Sequence, residues 1–235
     1  MSFRPSSIGL GCDLKRIGLL GGTFNPIHNG HLGAAISVRD GFGLDTVVFI
    51  PAAIPPHKRT KNIAPAADRL EMIRLSIADY EHLTISDVEL ARSGPSYSID
   101  TIRHFIERSV SGEQFLFVVG LDAFLEINTW KYFEELFMLI PMIVLNRPAS
   151  QRICVDSFSR IVHAFLQTRI SGDYTPSADG LSFVHPDQQT VYLFHGEMMD
   201  ISSTLIRQRI SRGESISDVV PCPVADYIKR KGLYR

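Results

Sequence analysis

The chain is poor in cysteine, in net charge and in long apolar runs, and each shortage removes a class of protein. Its 235 residues hold 3 cysteines, Cys12, Cys154 and Cys222, far apart and without a CxxC spacing. An odd, scattered set builds neither a disulfide framework nor a zinc knuckle, so reduced thiols in a cytoplasmic protein are expected. Lys plus Arg number 24 against 25 Asp plus Glu. That balance lacks the broad basic face of a nucleic-acid binder or a polybasic membrane contact, and leaves room for a small basic pocket. No run reaches the roughly 18 apolar residues of a membrane span. The opening MSFRPSSIGLGCDLKR has no apolar signal-peptide core, and residues 1–16 are expected to form a loose tail. Tryptophan occurs once, at Trp130.

Hydrophobic residues make up 45% of the chain, enough for a real core, and the length suits one large domain. RIGLLGG reads as a buried strand ended by glycines, and HLGAAISVRDGF as a helix with Leu32, Ile36 and Val38 inward. DTVVFIPAAIPPH is a second strand, broken by Pro51 and then by the Pro55-Pro56 pair, and APAADRLEMIRLSIAD a helix whose core face carries Leu70, Ile73 and Ile77. LTISDVEL alternates like a strand. SYSIDTIRHFIERSV offers Ser98 as an N-cap, with a stripe of Ile99, Ile102, Phe105 and Ile106. EQFLFVVGLD and PMIVLNRP are buried strands around the helical TWKYFEELFML. Strands alternating with helices predict a mostly parallel sheet covered on both faces, with ligands at the strand carboxyl ends. Past residue 150 the pattern weakens: helices at CVDSFSRIVHAFLQTR, ISSTLIRQRIS and PVADYIKRKGL, a loop at SGDYTPSADG, and one short strand, TVYLFH.

The stretch LLGGTFNPIHNGHL concentrates unusual geometry between the first strand and the first helix. It is neither a Walker A loop nor a GxGxxG fingerprint. Zinc binding by His28 and His31 lacks a nearby third ligand, and two histidines satisfying loop carbonyls is the plain structural reading. An anion site accounts for more: amides of the bend and of the new helix point outward, and imidazoles add movable donors.

GGTFNPIHNGH resembles the HxGH signature of the nucleotidylyltransferase superfamily through His28, Gly30 and His31, and ISSTLIR (201–207) resembles its second signature. With IPPHK (54–58), GPSYS (94–98), GLD (120–122), NTW (128–130) and GLYR (232–235), the whole set resembles the bacterial nicotinate-nucleotide adenylyltransferases from about Arg16 onward. The resemblance implies an α/β, Rossmann-like, doubly wound and mostly parallel sheet. Its core would span 17–150, with a C-terminal helical appendage over 151–235 in the same overall domain. It implies AMP transfer from ATP to nicotinate mononucleotide, with release of pyrophosphate and with Mg2+ carried by the ATP phosphates rather than in a protein metal site. His28, His31 and Arg207 would be catalytic. ATP would further meet Gly21, Gly22, Thr23, Phe24, Gly30, Gly120, Asp122, Ile201, Ser202, Ser203 and Thr204. The mononucleotide would meet Asn25, Lys58, Tyr97, Ser98, Trp130, Lys131 and Arg147. Trp130 would stack on the pyridine ring and Asp122 would bind the adenosine ribose. Ser98 departs from the family's usual threonine, and Asn25 stands where many relatives carry aspartate. A nicotinamide-mononucleotide or phosphopantetheine adenylyltransferase, and a non-catalytic nucleotide sensor, are the alternatives; the presence of His28, His31 and Arg207 speaks against the sensor. The expected partners are these small molecules, without nucleic acid or membrane, and a homo-oligomer stays open.

Overall fold

The computed structural model describes residues 14–55, 63–146, 155–196 and 199–235. Eight strands form one sheet in the order β3-β2-β1-β4-β5-β8-β7-β6. The six from β3 to β8 pair in parallel, and β6 and β7 close one edge antiparallel. The first strand, β1 (Lys15–Gly22), lies between β2 (Thr46–Pro51) and β4 (Glu113–Gly120); β3 (Leu83–Ile85) and β5 (Met142–Leu145) flank these. The chain therefore winds outward from β1 in one direction and from β4 in the other. The crevice at their carboxyl ends is the topological switch point where such sheets take ligands.

Period-two alternation divides the strands between two cores. Leu20, Val47, Phe49, Leu116, Val118, Ile143 and Leu145 pack against α1 (Asn29–Phe42), α2 (Ala66–Ile77), α7 (Ser203–Ser211) and α8 (Cys222–Lys231). Leu19, Val48, Ile50, Phe117, Val119 and Val144 pack against α3 (Ser98–Glu107), α5 (Phe133–Leu139) and α6 (Val155–Phe165) on the other face. Ile143 is fully buried between strands; truncation to alanine at such a site costs about 2–5 kcal/mol.

Several boundaries differ from expectation for identifiable reasons. β1 begins at Lys15, inside the expected tail, because Lys15 N–H donates to Gly112 and Arg16 N–H to Asp45. β3 ends at Ile85: the N–H groups of Leu90 and Ala91 both donate to the Asp87 carbonyl and turn the chain inward. α2 buries Arg69, Met72, Ile73, Ser76 and Ile77, with Leu70 at the margin. α3 is capped by Tyr97 rather than Ser98, which is its first helical residue, and Ile106 of the expected stripe is exposed. In the last third the expected strand TVYLFH forms as β8 (Val191–Phe194) beside β5, and two unexpected strands extend the sheet: β6 (Thr175–Pro176) falls in the expected loop and β7 (Ser182–Val184) follows it. β6 and β7 are so short, one containing proline, that they leave no periodic signal, and such strands are tolerated toward a sheet edge. Among the described residues no helix is long and apolar enough to cross a membrane, and Cys222 is an exposed free thiol; Cys12 and Cys154 lie outside the described residues.

Candidate active site

At the switch point the structure opens a cleft of about 1020 Å³, large enough for more than one nucleotide-sized ligand. One wall is the bend after β1. Gly22 leaves room for the Phe24 ring, since a Cβ on it would stand 2.9 Å from that ring. Phe24 itself holds a positive φ of 48°, a conformation that costs a non-glycine residue on the order of 1 kcal/mol. It is repaid by packing: the Phe24 ring meets Phe49 at 5.5 Å and the His31 imidazole edge-on at 5.1 Å. His28 is the N-cap residue of α1. Its ring, 2% exposed, stacks on that of His31 with centroids 3.7 Å apart. Gly30 separates them in sequence, and a side chain there would crowd His28 Nδ1 at 3.1 Å and the Met199 carbonyl at 3.2 Å. The anion-site expectation narrows at one point: the Asn29 amide at the start of α1 donates to the Val219 carbonyl.

The second signature forms the opposite lip. The Ser202 side chain caps α7 by accepting from Leu205 N–H. The Ser203 hydroxyl donates to the Pro26 carbonyl at 2.9 Å. Arg207 donates from Nη1 to the Asn25 carbonyl at 2.8 Å and from Nη2 to the Thr204 hydroxyl at 3.2 Å. The two signatures, far apart in sequence, are thus hydrogen-bonded to each other.

A third wall comes from α3 and the segment before α5. Tyr97, Ser98, Trp130 and Lys131 line the cleft, with Trp130 edge-on to Phe117 at 6.4 Å. Lys131 Nζ lies 4.6 Å from the Tyr97 ring centroid and 3.4 Å from Asp100, so its charge is already shared. Gly120 and Asp122 complete the rim; Gly120 is the N-cap of α4 (Leu121–Phe124), and Asp122 stands exposed in its first turn.

Gly21, Gly22, Thr23, Phe24, Asn25, His28, His31, Ser202, Ser203, Thr204 and Arg207 line the same cleft. Gly30 and Ile201 are not among its lining residues; Ile201 is partly buried against the core. Lys58 and Arg147 lie outside the described residues.

Beneath the cleft lies a buried polar layer that the sequence reading missed. Arg69, 1% exposed, donates to the carbonyls of Ala64, Thr23 and Ala53 at 3.0, 2.8 and 3.2 Å. It ties the bend to both stems of the chain between β2 and α2. Burial pulls its pKa down, and the nearby Tyr234 and Glu89 oppose that shift. Glu89 is also buried and lines the cleft; burial raises its pKa against the hydrogen bonds of Thr101 and Ser96 and the charges of Arg92 and Arg69. Asn25 Oδ1 accepts from Ala64 N–H at 2.9 Å and from the Tyr234 hydroxyl at 2.8 Å. Asn25 is thus a fastener of the bend as well as part of its lining. Among the described residues no three His, Cys, Asp or Glu side chains gather as a metal site.

A family model described as cytidylyltransferase-like matches residues 19–209. A probable nicotinate-nucleotide adenylyltransferase of Geobacter sp. (strain M21) is 43% identical over 221 residues, covering 93% of this chain and 98% of that protein. The chain belongs to the nicotinate-nucleotide adenylyltransferase family. A member from Desulfatibacillum aliphaticivorans is 41% identical over 93% of this chain and 99% of its own length. Among solved structures, the Plasmodium falciparum nicotinic acid mononucleotide adenylyltransferase complexed with NaAD superposes with a TM-score of 0.66 at 17% identity. It covers 94% of this chain and 97% of that one. A putative family member from Vibrio parahaemolyticus gives 0.56 at 19% identity, over 94% of this chain and 96% of that one. At such identities the agreement is one of fold.

Proposed function

We propose that this protein transfers AMP from ATP to nicotinate mononucleotide, giving nicotinate adenine dinucleotide and pyrophosphate in NAD biosynthesis. The observation that carries the reading is the direct bonding of the two signatures, Arg207 to Asn25 and Ser203 to Pro26, across from a wall bearing Trp130 and the start of α3. One side of the cleft offers imidazole, guanidinium and hydroxyl donors suited to phosphates. The other offers an aromatic face and helix-start amides suited to a pyridine carboxylate.

The attacking group is a phosphate with a second pKa near about 6, already largely dianionic at neutral pH, so no general base is needed. Catalysis then rests on holding the two nucleotides in line and on stabilising charge around the α-phosphorus. His31 donates at the α/β bridge with His28 stacked behind it. Arg207 donates to the leaving pyrophosphate, and α7 adds its amino-terminal amides and the Thr204 hydroxyl. Asp122 takes the adenosine ribose and the Gly21–Phe24 backbone accommodates the nucleotide. Asn25, Tyr97, Ser98, Trp130 and Lys131 form the mononucleotide end, with Lys58 and Arg147 completing it. These donors suit phosphate oxygens rather than a cation cage, so Mg2+ would arrive on the phosphates of ATP and would supply charge neutralisation there. A cytoplasmic location goes with this ATP-consuming reaction.

Incubating the pure protein with ATP, Mg2+ and either pyridine mononucleotide tests the reading. Nicotinate adenine dinucleotide and pyrophosphate should form in equal amounts; formation of neither overturns it.

A further inference from the structure

Glu89 is a carboxyl group the proposed reaction does not use, yet it borders the cleft. The turn after β3 folds it inward to 7% exposure. Its Oε1 accepts the Thr101 hydroxyl at 2.7 Å, and Arg92 Nη2 donates to that same hydroxyl oxygen at 3.0 Å. Ser96 supplies a second hydrogen bond, while its own oxygen accepts the Ala53 amide at 2.9 Å. The charged groups facing Glu89 are Arg92 from its own turn and Arg69 from α2; α3 and the strap before it present hydroxyls. Behind the main cleft lies a narrow pocket of about 20 Å³, bordered by Glu89, Ser98, Thr101 and Gly21 among others. Glu89 and the amino-terminal residue of α3 therefore border one space.

On the reading above, the carboxylate of the acid mononucleotide is received at that helix start. Two carboxyl groups sharing a buried space do not both stay ionised; one retains a proton. The ligand's carboxylate is held by amides, which favour its charged form. Glu89 is the partner already disfavoured as an anion by its surroundings. The amide mononucleotide brings no carboxylate and makes no such demand.

We propose that Glu89 binds a proton from solvent when the acid mononucleotide enters, and so links acid-over-amide specificity to pH. The neutral carboxyl gains an O–H donor within the same pocket, and no covalent bond changes. The proposal rests on the reaction assigned above.

The test is titration calorimetry of each mononucleotide in two buffers of different ionisation enthalpy, between about pH 6 and 8, on the full chain and on Glu89→Gln. The original protein should take up more protons with the acid than with the amide, approaching about one proton where Glu89 is ionised in the empty cleft. That difference should vanish in Glu89→Gln, together with the pH dependence of acid-over-amide selectivity. Equal uptake by both proteins overturns the proposal. Should Glu89→Gln fail to fold, Thr101→Val keeps the carboxyl and removes a hydrogen bond to its ionised form. The midpoint of uptake should then move to higher pH, and an unmoved midpoint counts against Glu89. Dinucleotide synthesis by the same preparations separates the two failures. No dinucleotide from either substrate defeats the assigned reaction, whereas synthesis with equal proton uptake defeats only the role of Glu89.

Discussion

Arg207 on α7 donates to the main-chain carbonyl of Asn25, 182 positions earlier, at 2.8 Å. One guanidinium thereby fixes the distance between the second signature and the bend that carries the histidines. Replacing it with lysine keeps the charge but loses the fork that reaches Asn25 and Thr204 together. Arg207→Lys should lower kcat and weaken ATP by roughly tenfold to a hundredfold, the range of one charge-assisted hydrogen bond, and affect nicotinate mononucleotide far less, only through the brace on Asn25. Separate titration of the two ligands checks this, and the opposite pattern would assign Arg207 to the other substrate.

His31→Ala should lose on the order of 3 kcal/mol of transition-state stabilisation, a fall in kcat of about a hundredfold, with ATP affinity nearly intact. His31 sits half-buried at the cleft, stacked on His28, so the fold should survive its loss. Near-normal turnover in a folded variant would remove His31 from the chemistry.

Trp130→Ala should weaken the mononucleotide more than ATP. The ring is steadied edge-on by Phe117 and lies in the wall that carries Ser98. Loss of one aromatic face costs roughly 1–3 kcal/mol of stacking, or about fivefold to 150-fold in affinity. The original protein should also prefer the acid over the amide, because amide donors at a helix start meet a carboxylate with charge and correct polarity. Equal kcat/KM for the two would contradict that arrangement.

Arg69→Met should destabilise the fold by about 2–5 kcal/mol, because three carbonyls, one buried and two part-buried, lose their donor at once. A lower denaturant midpoint together with weakened binding of both substrates is expected. Arg69→Lys should recover little, since an ammonium cannot serve carbonyls on three separate segments from one plane. An unchanged midpoint would show that these carbonyls find other donors.

What the sequence made legible were residues whose backbone role forces a special type: the glycines of the bend, His28 and His31 around a helix start, and Ser202 before α7. Each occupies a strand end or a helix cap, where local chemistry and site geometry coincide. Arg69 and Glu89 were hidden because a charged residue within an apolar pattern reads as a solvated margin. Only tertiary packing turned them inward, where they offset each other's charge beneath the cleft. The cap of α3 shifted by one residue for a similar reason: Ser98 has the composition of a cap, but the backbone turns at Tyr97. Asn25 was legible as part of the bend and not as its fastener, because Tyr234 lies 209 residues away.

That last bond gives the enzyme a timetable. Asn25 emerges from the ribosome 209 residues before the hydroxyl that braces it, which follows α8, the helix tied to α2 through Tyr227 and Asp68. Amino-terminal segments generally begin to fold during synthesis, and here β1, β2 and α1 can assemble long before the bend is braced. A nascent chain would therefore carry the histidines of the site without their final support, and would become competent only once the segment past α8 has emerged and reached the bend.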